Sequence, residues 1–331
     1  MRKYQKKQMP NLLITGGAGY IGAVVSDLAL RRGHRVRVVD ALWFNKGVPF
    51  ERDAGPHYEF IKGDIRDAAL MERVFDDVDF IIHTAALVGE PAARKFPELA
   101  RQVNYNASID LISKAAEYGV KGFIFFSTCS NYGVSDRIAG EDAPLRPLSL
   151  YAETKVDVER YLMDKANGLD WVICRLSTAY GCSPRMRFDL TVNDFTMKAY
   201  LKKYLDVFLP HTYRPYIHIR DIAGVVMEIV KNFGKVKNGV FNIGFDGENR
   251  RKIEIAECVQ NLVPGTRIEV VEGRQDMRDY RVDFSKLRRY LNVNNSLTVE
   301  DGVKEVLGLL EGGAIADPRM SCYYNTEPDL A

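Results

Sequence analysis

The chain has 331 residues, enough for about two domains and a sizeable buried core. Hydrophobic residues make up 46% and charged residues 27%, the composition of a soluble globular protein and not of a disordered or fibrous one. Lys and Arg number 46 against 44 Asp and Glu, a net charge of +2 that gives no support for nucleic-acid binding, and no uncharged apolar run approaches the roughly 18 residues of a membrane span.

The first residues, MRKYQKKQMP, are basic but lack the apolar stretch and cleavage site of a secretory signal. The five cysteines, at 129, 174, 182, 258 and 322, form no CxxC pair and share no ligand spacing with the five histidines. Neither a metal site nor a disulfide framework is expected, and the cytoplasm is the expected compartment.

Residues 11–15 read as a buried strand and 20–32 as a helix stopped by Gly33. Further strands are expected at 35–40, 58–61 and 79–83. A long helix is expected at 98–118, a strand at 122–126, a helix at 151–165 and a strand at 170–175. Strands apolar throughout and separated by helices imply a parallel sheet covered on both faces. After about residue 180 the pattern loosens, although 239–243 reads as one more strand returning to the sheet. From Gly312 the chain looks irregular, as a strap or a frayed tail.

Three motifs carry the chemistry. The first is Thr15-Gly-Gly-Ala-Gly-Tyr-Ile-Gly22, between the first strand and the first helix. Gly16 permits a tight turn, Gly19 lets the backbone approach a pyrophosphate, and Gly22 allows close helix packing. Asp40 ends the second strand about 20 residues on, where a carboxylate accepts ribose hydroxyls and repels a 2'-phosphate; NAD is therefore expected over NADP. Asp64, in Gly63-Asp64-Ile65, either meets the adenine amine or caps a helix starting near Asp67.

The second motif is Tyr151-Ala-Glu-Thr-Lys155, which puts a phenol and an ammonium on one helix face. A nearby cation favours the phenolate and fits the pair for acid–base work. The third is Phe126-Ser-Thr-Cys-Ser-Asn-Tyr-Gly133, whose hydroxyls follow a strand and face the ligand crevice of such a sheet.

Together with HTAALVG at 83–89, VNYNA at 103–107, RPYIHIRDIA at 214–223 and RDYRVDFSKL at 278–287, these motifs make the chain resemble the extended short-chain dehydrogenases/reductases. That group holds the NAD-dependent nucleotide-sugar epimerases and dehydratases, among them UDP-glucose 4-epimerase. The stretch TAYGCSPRMRFDLTVNDFT at 178–196 most resembles a subgroup that includes GDP-heptose 4-dehydrogenases. The resemblance implies an α/β fold: a Rossmann-type doubly wound parallel sheet with a smaller α/β substrate-binding domain. It divides the chain into an NAD-binding domain at 1–177 and a mainly nucleotide-sugar-binding part at 178–331.

It also implies roles. Thr128 takes the place of the catalytic Ser/Thr, Tyr151 is the base, and Lys155 orients the ribose. Tyr20, Ile21, Ile65, Thr84, Ala85, Ala86 and Asn104 lie along the NAD. Thr178, Asn193, Arg214 and Arg278 occupy substrate positions, and 98–118 with 151–165 form a homodimer face. Thr178 departs from the family's asparagine. Dehydratases of the family follow the catalytic Thr with Asp-Glu, whereas this chain has Cys129 and Ser130. Glu90 is the nearby carboxylate that could substitute. His218 reads as a hydrogen-bonded structural histidine, and Arg185 and Arg187 either clamp a phosphate or pair with Asp189. The resulting expectation is an epimerase that transiently oxidises the sugar's 4-position. Net 4-dehydrogenation is the alternative, and dehydration or a redox-silent NAD scaffold are weaker ones.

Overall fold

The computed structural model describes residues 9–45, 55–166, 168–272, 278–294, 297–326 and 328. The basic residues 1–8 lie outside them. Seven strands form one sheet in the order Gly239–Ile243, Trp171–Leu176, Gly122–Thr128, Phe80–His83, Asn11–Thr15, Arg35–Asp40 and Tyr58–Lys62. Every pairing in it is parallel. Alternation along the strands sends side chains to two faces. Leu12, Ile14, Val38, Ile82, Ile124 and Val172 pack one way, with Val25 and Ala29 of helix Tyr20–Arg31 and Ile222 and Val226 of helix Ile219–Lys231. Leu13, Val39, Ile81, Phe123, Phe125 and Ile173 pack the other way, with Leu111 and Ile112 of helix Ala107–Glu117 and Val158 and Leu162 of helix Leu150–Lys165. The doubly wound parallel sheet expected from the apolar strands is present, and the strand at 239–243 forms its edge.

The long helical stretch expected at 98–118 is present from Pro97 to Glu117, with a π turn inside it. Helix Pro97–Arg101 passes into a π turn at Gln102–Asn106 before Ala107–Glu117. The cause lies in Asn104, whose Oδ1 accepts from the Leu87 N–H at 2.7 Å and whose Nδ2 donates to the Leu87 carbonyl at 3.1 Å. Turning this polar side chain inward to the loop after the fourth strand widens the helix locally. An unforeseen helix, Glu90–Lys95, starts after Gly89 at φ 95°.

Another core draws on later residues, among them Tyr180, Val192, Leu205, Tyr216, Ile255 and Val303. Strands Thr178–Tyr180, Tyr213–His218 and Asn249–Arg251 make a small sheet, and Val134–Ala139 pairs in parallel with Asp279–Val282. That last pairing carries the segment after residue 278 back to the end of the fifth sheet strand.

Candidate active site

The sheet order reverses between Asn11–Thr15 and Phe80–His83, and ligands of such sheets bind outside the carboxyl ends of the strands at that switch. A cleft lies there. Gly16, Gly19, Tyr20, Ile21, Gly22, Asp40, Asp64, Ile65, Thr84, Ala85 and Ala86 line it, as do Tyr151 and Lys155. Gly16 has φ +73°, and a Cβ there would stand 2.6 Å from the Ala85 nitrogen; a Cβ on Gly22 would stand 2.1 Å from the Gly16 carbonyl oxygen. Both positions admit only glycine. Thr84 joins the two central strands, its hydroxyl donating to the Thr15 and Gly16 carbonyls at 2.7 and 3.1 Å.

Asp40 accepts from the Ala18 N–H of the glycine-rich turn at 3.0 Å and from Leu42 at 2.8 Å. Burial raises its pKa, and these N–H groups oppose the rise. Asp64 does not cap a helix. Asp67 does, accepting from Leu70, while Asp64 lines the cleft and is held by the Arg66 guanidinium at 2.7 Å.

Ser149 caps the helix that carries Tyr151 and Lys155. Tyr151 packs against the apolar cluster of Leu87, Ala92, Ala93 and Ala100. Burial pushes its phenol up to about 12, and the Arg187 and Arg278 charges pull it back. The positive field on the phenol therefore comes from these two arginines, beyond the single ammonium expected from the motif. Lys155 is itself brought down to about 7 by burial, against the opposing charge of Glu159.

Thr128 ends the fifth sheet strand and accepts from the Ser130 N–H at 3.1 Å, which leaves its hydroxyl proton to donate. Cys129 is buried and its thiol faces the Arg175 carbonyl at 3.2 Å; burial raises its pKa. Ser130 Oγ accepts from Arg278 at 2.7 Å and lies 3.4 Å from the Tyr280 hydroxyl. The Arg214 guanidinium stacks 5.3 Å from the centre of the Tyr280 ring. Tyr280 thus joins the two expected substrate arginines to the loop after Thr128. Tyr280 stands inside the segment RDYRVDFSKL, just beyond Arg278, whose role the resemblance implies.

Other expected site residues serve the frame. Asn104 is spent on Leu87 and does not line the cleft. Asn193 is fully buried: it accepts from Gly181 N–H at 3.1 Å and donates to the Tyr20 hydroxyl at 3.1 Å and the Arg187 carbonyl at 2.9 Å. It staples the glycine-rich turn to the 181–187 loop. Thr178 pairs in strand with Tyr216. Arg187 is chelated by Asp189 at 2.9 and 2.7 Å. His218 is structural as expected, accepting from the Arg220 N–H and meeting Glu305 at 2.8 Å. Glu90 pairs with Arg94 and does not line the cleft.

Two buried groups behind the site were not foreseen. His83 bridges Thr15 and Ser108 at 2.6 and 2.9 Å, and burial holds its pKa down at about 3, so it stays neutral. Glu159, one turn beyond Lys155, forms a fully buried pair with Arg175 at 2.7 Å and also takes Ser127 and Asn131. The spacing 151, 155, 159 was the signal for it.

The cleft suits a dinucleotide. Its backbone comes close at glycines that a side chain would block, and a carboxylate stands at the end of the second strand. Residues 12–244 match the NAD dependent epimerase/dehydratase family. The chain belongs to that family. It is thus an NAD-dependent enzyme of the nucleotide-sugar epimerase/dehydratase type. A UDP-glucuronate 4-epimerase of Thermodesulfobacterium geofontis is 28% identical over 310 residues, 89% of this chain and 94% of that one. The solved UDP-glucose 4-epimerase of Thermotoga maritima with UDP-glucose superposes with TM-score 0.81 at 26% identity, over 92% of this chain and 100% of that one. A dTDP-glucose 4,6-dehydratase of Bacillus anthracis with NAD does so at 0.79 and 25%, over 92% and 97%. Epimerases and a dehydratase share the fold, so the reaction must be argued from the site. No helix among the described residues is long and apolar enough to cross a membrane.

Proposed function

We propose that this family member is a nucleotide-sugar 4-epimerase that works through a transient 4-keto sugar. NAD held at the glycine-rich turn and Asp40 would supply the acceptor for the hydride of the sugar's carbon 4 and, once the keto sugar has turned its other face, the donor that returns it. Tyr151 takes the proton of the 4-hydroxyl and gives it back, Thr128 donates a hydrogen bond to the same oxygen, and Lys155 holds the nicotinamide ribose. Arg187 and Arg278 favour the phenolate that this step requires. Arg214 and Arg278 hold the substrate's diphosphate, with Thr178 beside the sugar, and residues 178–331 supply most of the substrate side. Assembly into a homodimer or larger homo-oligomer across 98–118 and 151–165 belongs to the same proposal.

One observation carries the reading against dehydration. The two residues after Thr128 hold no carboxylic acid: Cys129 is a buried thiol facing a carbonyl, and Ser130 is occupied by Arg278. A 4,6-elimination needs a base at carbon 5 and an acid for the departing hydroxyl. Glu90, the nearby substitute, is paired with Arg94. The test is incubation of the purified protein and NAD with UDP-, GDP- and dTDP-sugars, following NADH absorbance and product mass. A new sugar of unchanged mass, distinguished from the substrate by NMR, without NADH build-up supports epimerisation. A loss of two mass units with stoichiometric NADH means net dehydrogenation, and a loss of eighteen means dehydration; either overturns the reading.

A further inference from the structure

The segment after Gly312 is a strap. The Tyr323 carbonyl accepts from the Phe188 N–H at 3.0 Å, and the two rings meet edge to face at 5.6 Å. The Asn325 N–H donates to Asp189 at 3.2 Å, and the Cys322 carbonyl accepts from Arg185 at 3.3 Å. These contacts seat Asn325 in the wall of the cleft that holds the glycine-rich turn. Asn325 is 8% exposed, and its side-chain oxygen is buried without a hydrogen-bond partner. A buried acceptor left unmatched is costly, and a donor brought by a ligand in the adjoining cleft would satisfy it.

Arg185 lines the same cleft and is equally buried, 8% exposed. Its neighbour Arg187 is chelated by Asp189. Among the described residues Arg185 makes no carboxylate pair and donates only to the carbonyls of Phe44 and Cys322, at 3.5 and 3.3 Å; it lies 5.6 Å from the Phe44 ring centre. A buried guanidinium without a carboxylate pair has donors to spare for an anion. Its contact with the Phe44 carbonyl, four residues beyond Asp40, puts it near the ribose-binding end of the cleft.

We propose that Arg185 and Asn325 bind the cofactor: the guanidinium takes the diphosphate of NAD, and the Asn325 side-chain oxygen accepts from a hydroxyl or amino group of the same dinucleotide. The C-terminal strap is then one wall of the cofactor site. This rests on the NAD dependence of the family and goes beyond it. A cofactor enclosed by the enzyme's own tail suits a cycle that puts back the hydride it removes. The competing explanation is that both residues only tether the tail.

Calorimetric titration of the apo-protein with NAD, and separately with UDP and GDP, decides between them, with apo-protein melting as the control. Asn325→Ala should weaken NAD about 3- to 10-fold, and Arg185→Met about 10- to 100-fold. Both should leave UDP and GDP binding unchanged, and Asn325→Ala should leave the melting temperature unchanged. NAD affinity unchanged in both variants overturns the proposal. So does a loss confined to UDP or GDP, which would assign the residues to the substrate's diphosphate, or a melting temperature that falls while NAD affinity holds, which is the tether. If Arg185→Met fails to fold, Asn325→Ala alone decides. A wild-type protein that binds no NAD overturns the cofactor reading and this proposal with it.

Discussion

The Lys155 ammonium lies 4.8 Å from the centre of the Phe125 ring and 6.0 Å from that of Tyr151, one helical turn away on the same face. The cation sits in an aromatic seat behind the phenol, buried by the sheet. Burial lowers its pKa to about 7, against the Glu159 charge that holds it up.

A pH dependence follows from that pKa. Lys155 is charged below about pH 7 and loses its proton above it. An anionic dinucleotide favours the charged form, so NAD affinity should weaken several-fold as pH rises through neutrality, with proton uptake on binding. The stability of the apo-protein runs the other way. The unfolded lysine keeps its proton up to about 10.5. From about 7 to that value the unfolded chain binds the extra proton, so stability from this group rises with pH, and the full burial penalty is present below 7. Lys155→Met should therefore stabilise the apo-protein at pH 6 by on the order of 1–3 kcal/mol, and by less at pH 9.5, while weakening NAD. Chemical denaturation at the two pH values is the check. A variant less stable than wild type at pH 6 would contradict the sign.

Tyr151→Phe keeps the ring that packs against Leu87 and Ala92 and removes the proton acceptor. Turnover should fall by on the order of 10²–10⁴ with NAD affinity retained. Activity within threefold of wild type would remove Tyr151 from its role.

Asp40 decides between the two dinucleotides. Its carboxylate is fixed at the glycine-rich turn by the Ala18 and Leu42 N–H groups, where a 2'-phosphate would meet like charge. Titration of the apo-protein should show clear preference for NAD, and Asp40→Ser should narrow the gap. Equal affinities of the wild type for NAD and NADP would show that the carboxylate does not face the ribose.

Glu159 and Arg175 stand at 0% and 4% side-chain exposure, and Arg175 also donates to the Tyr132 hydroxyl and the Glu141 carbonyl. Glu159→Gln leaves a buried guanidinium without its counter-charge, and should destabilise the protein by about 3–5 kcal/mol in denaturant unfolding. Replacing both residues, Glu159→Leu with Arg175→Met, should recover a large part of that loss. A Glu159→Gln variant as stable as wild type would show the pair to be dispensable.

Much of this was legible in the chain, for identifiable reasons. Short runs rich in Val, Ile, Leu and Phe between turn residues mark the sheet strands: the expected bounds 11–15, 35–40 and 239–243 coincide with the observed ones. The glycine-rich turn and the Tyr151–Lys155 spacing are local patterns, and local patterns survive without knowledge of the fold. What failed depended on distant partners. The π turn at 102–106 exists because Asn104 meets Leu87, which periodicity does not reveal. The amide of Asn193 staples Tyr20 to the 181–187 loop, a contact that nearby spacing does not reveal. Tyr280 and Asn325 reach the site through a parallel strand pairing and a terminal strap, long-range contacts with no trace in the spacing of nearby residues.

The central claim is that hydride leaves carbon 4 of the sugar and comes back to it. The most direct measurement uses the nucleotide sugar that turns over, labelled with deuterium at carbon 4, and locates the label by NMR and mass spectrometry. The account predicts a product of unchanged mass, inverted at carbon 4, with the deuterium still there and none exchanged with solvent. Deuterium found in released NADH, or a product lighter by water with solvent hydrogen at carbon 5, would contradict it.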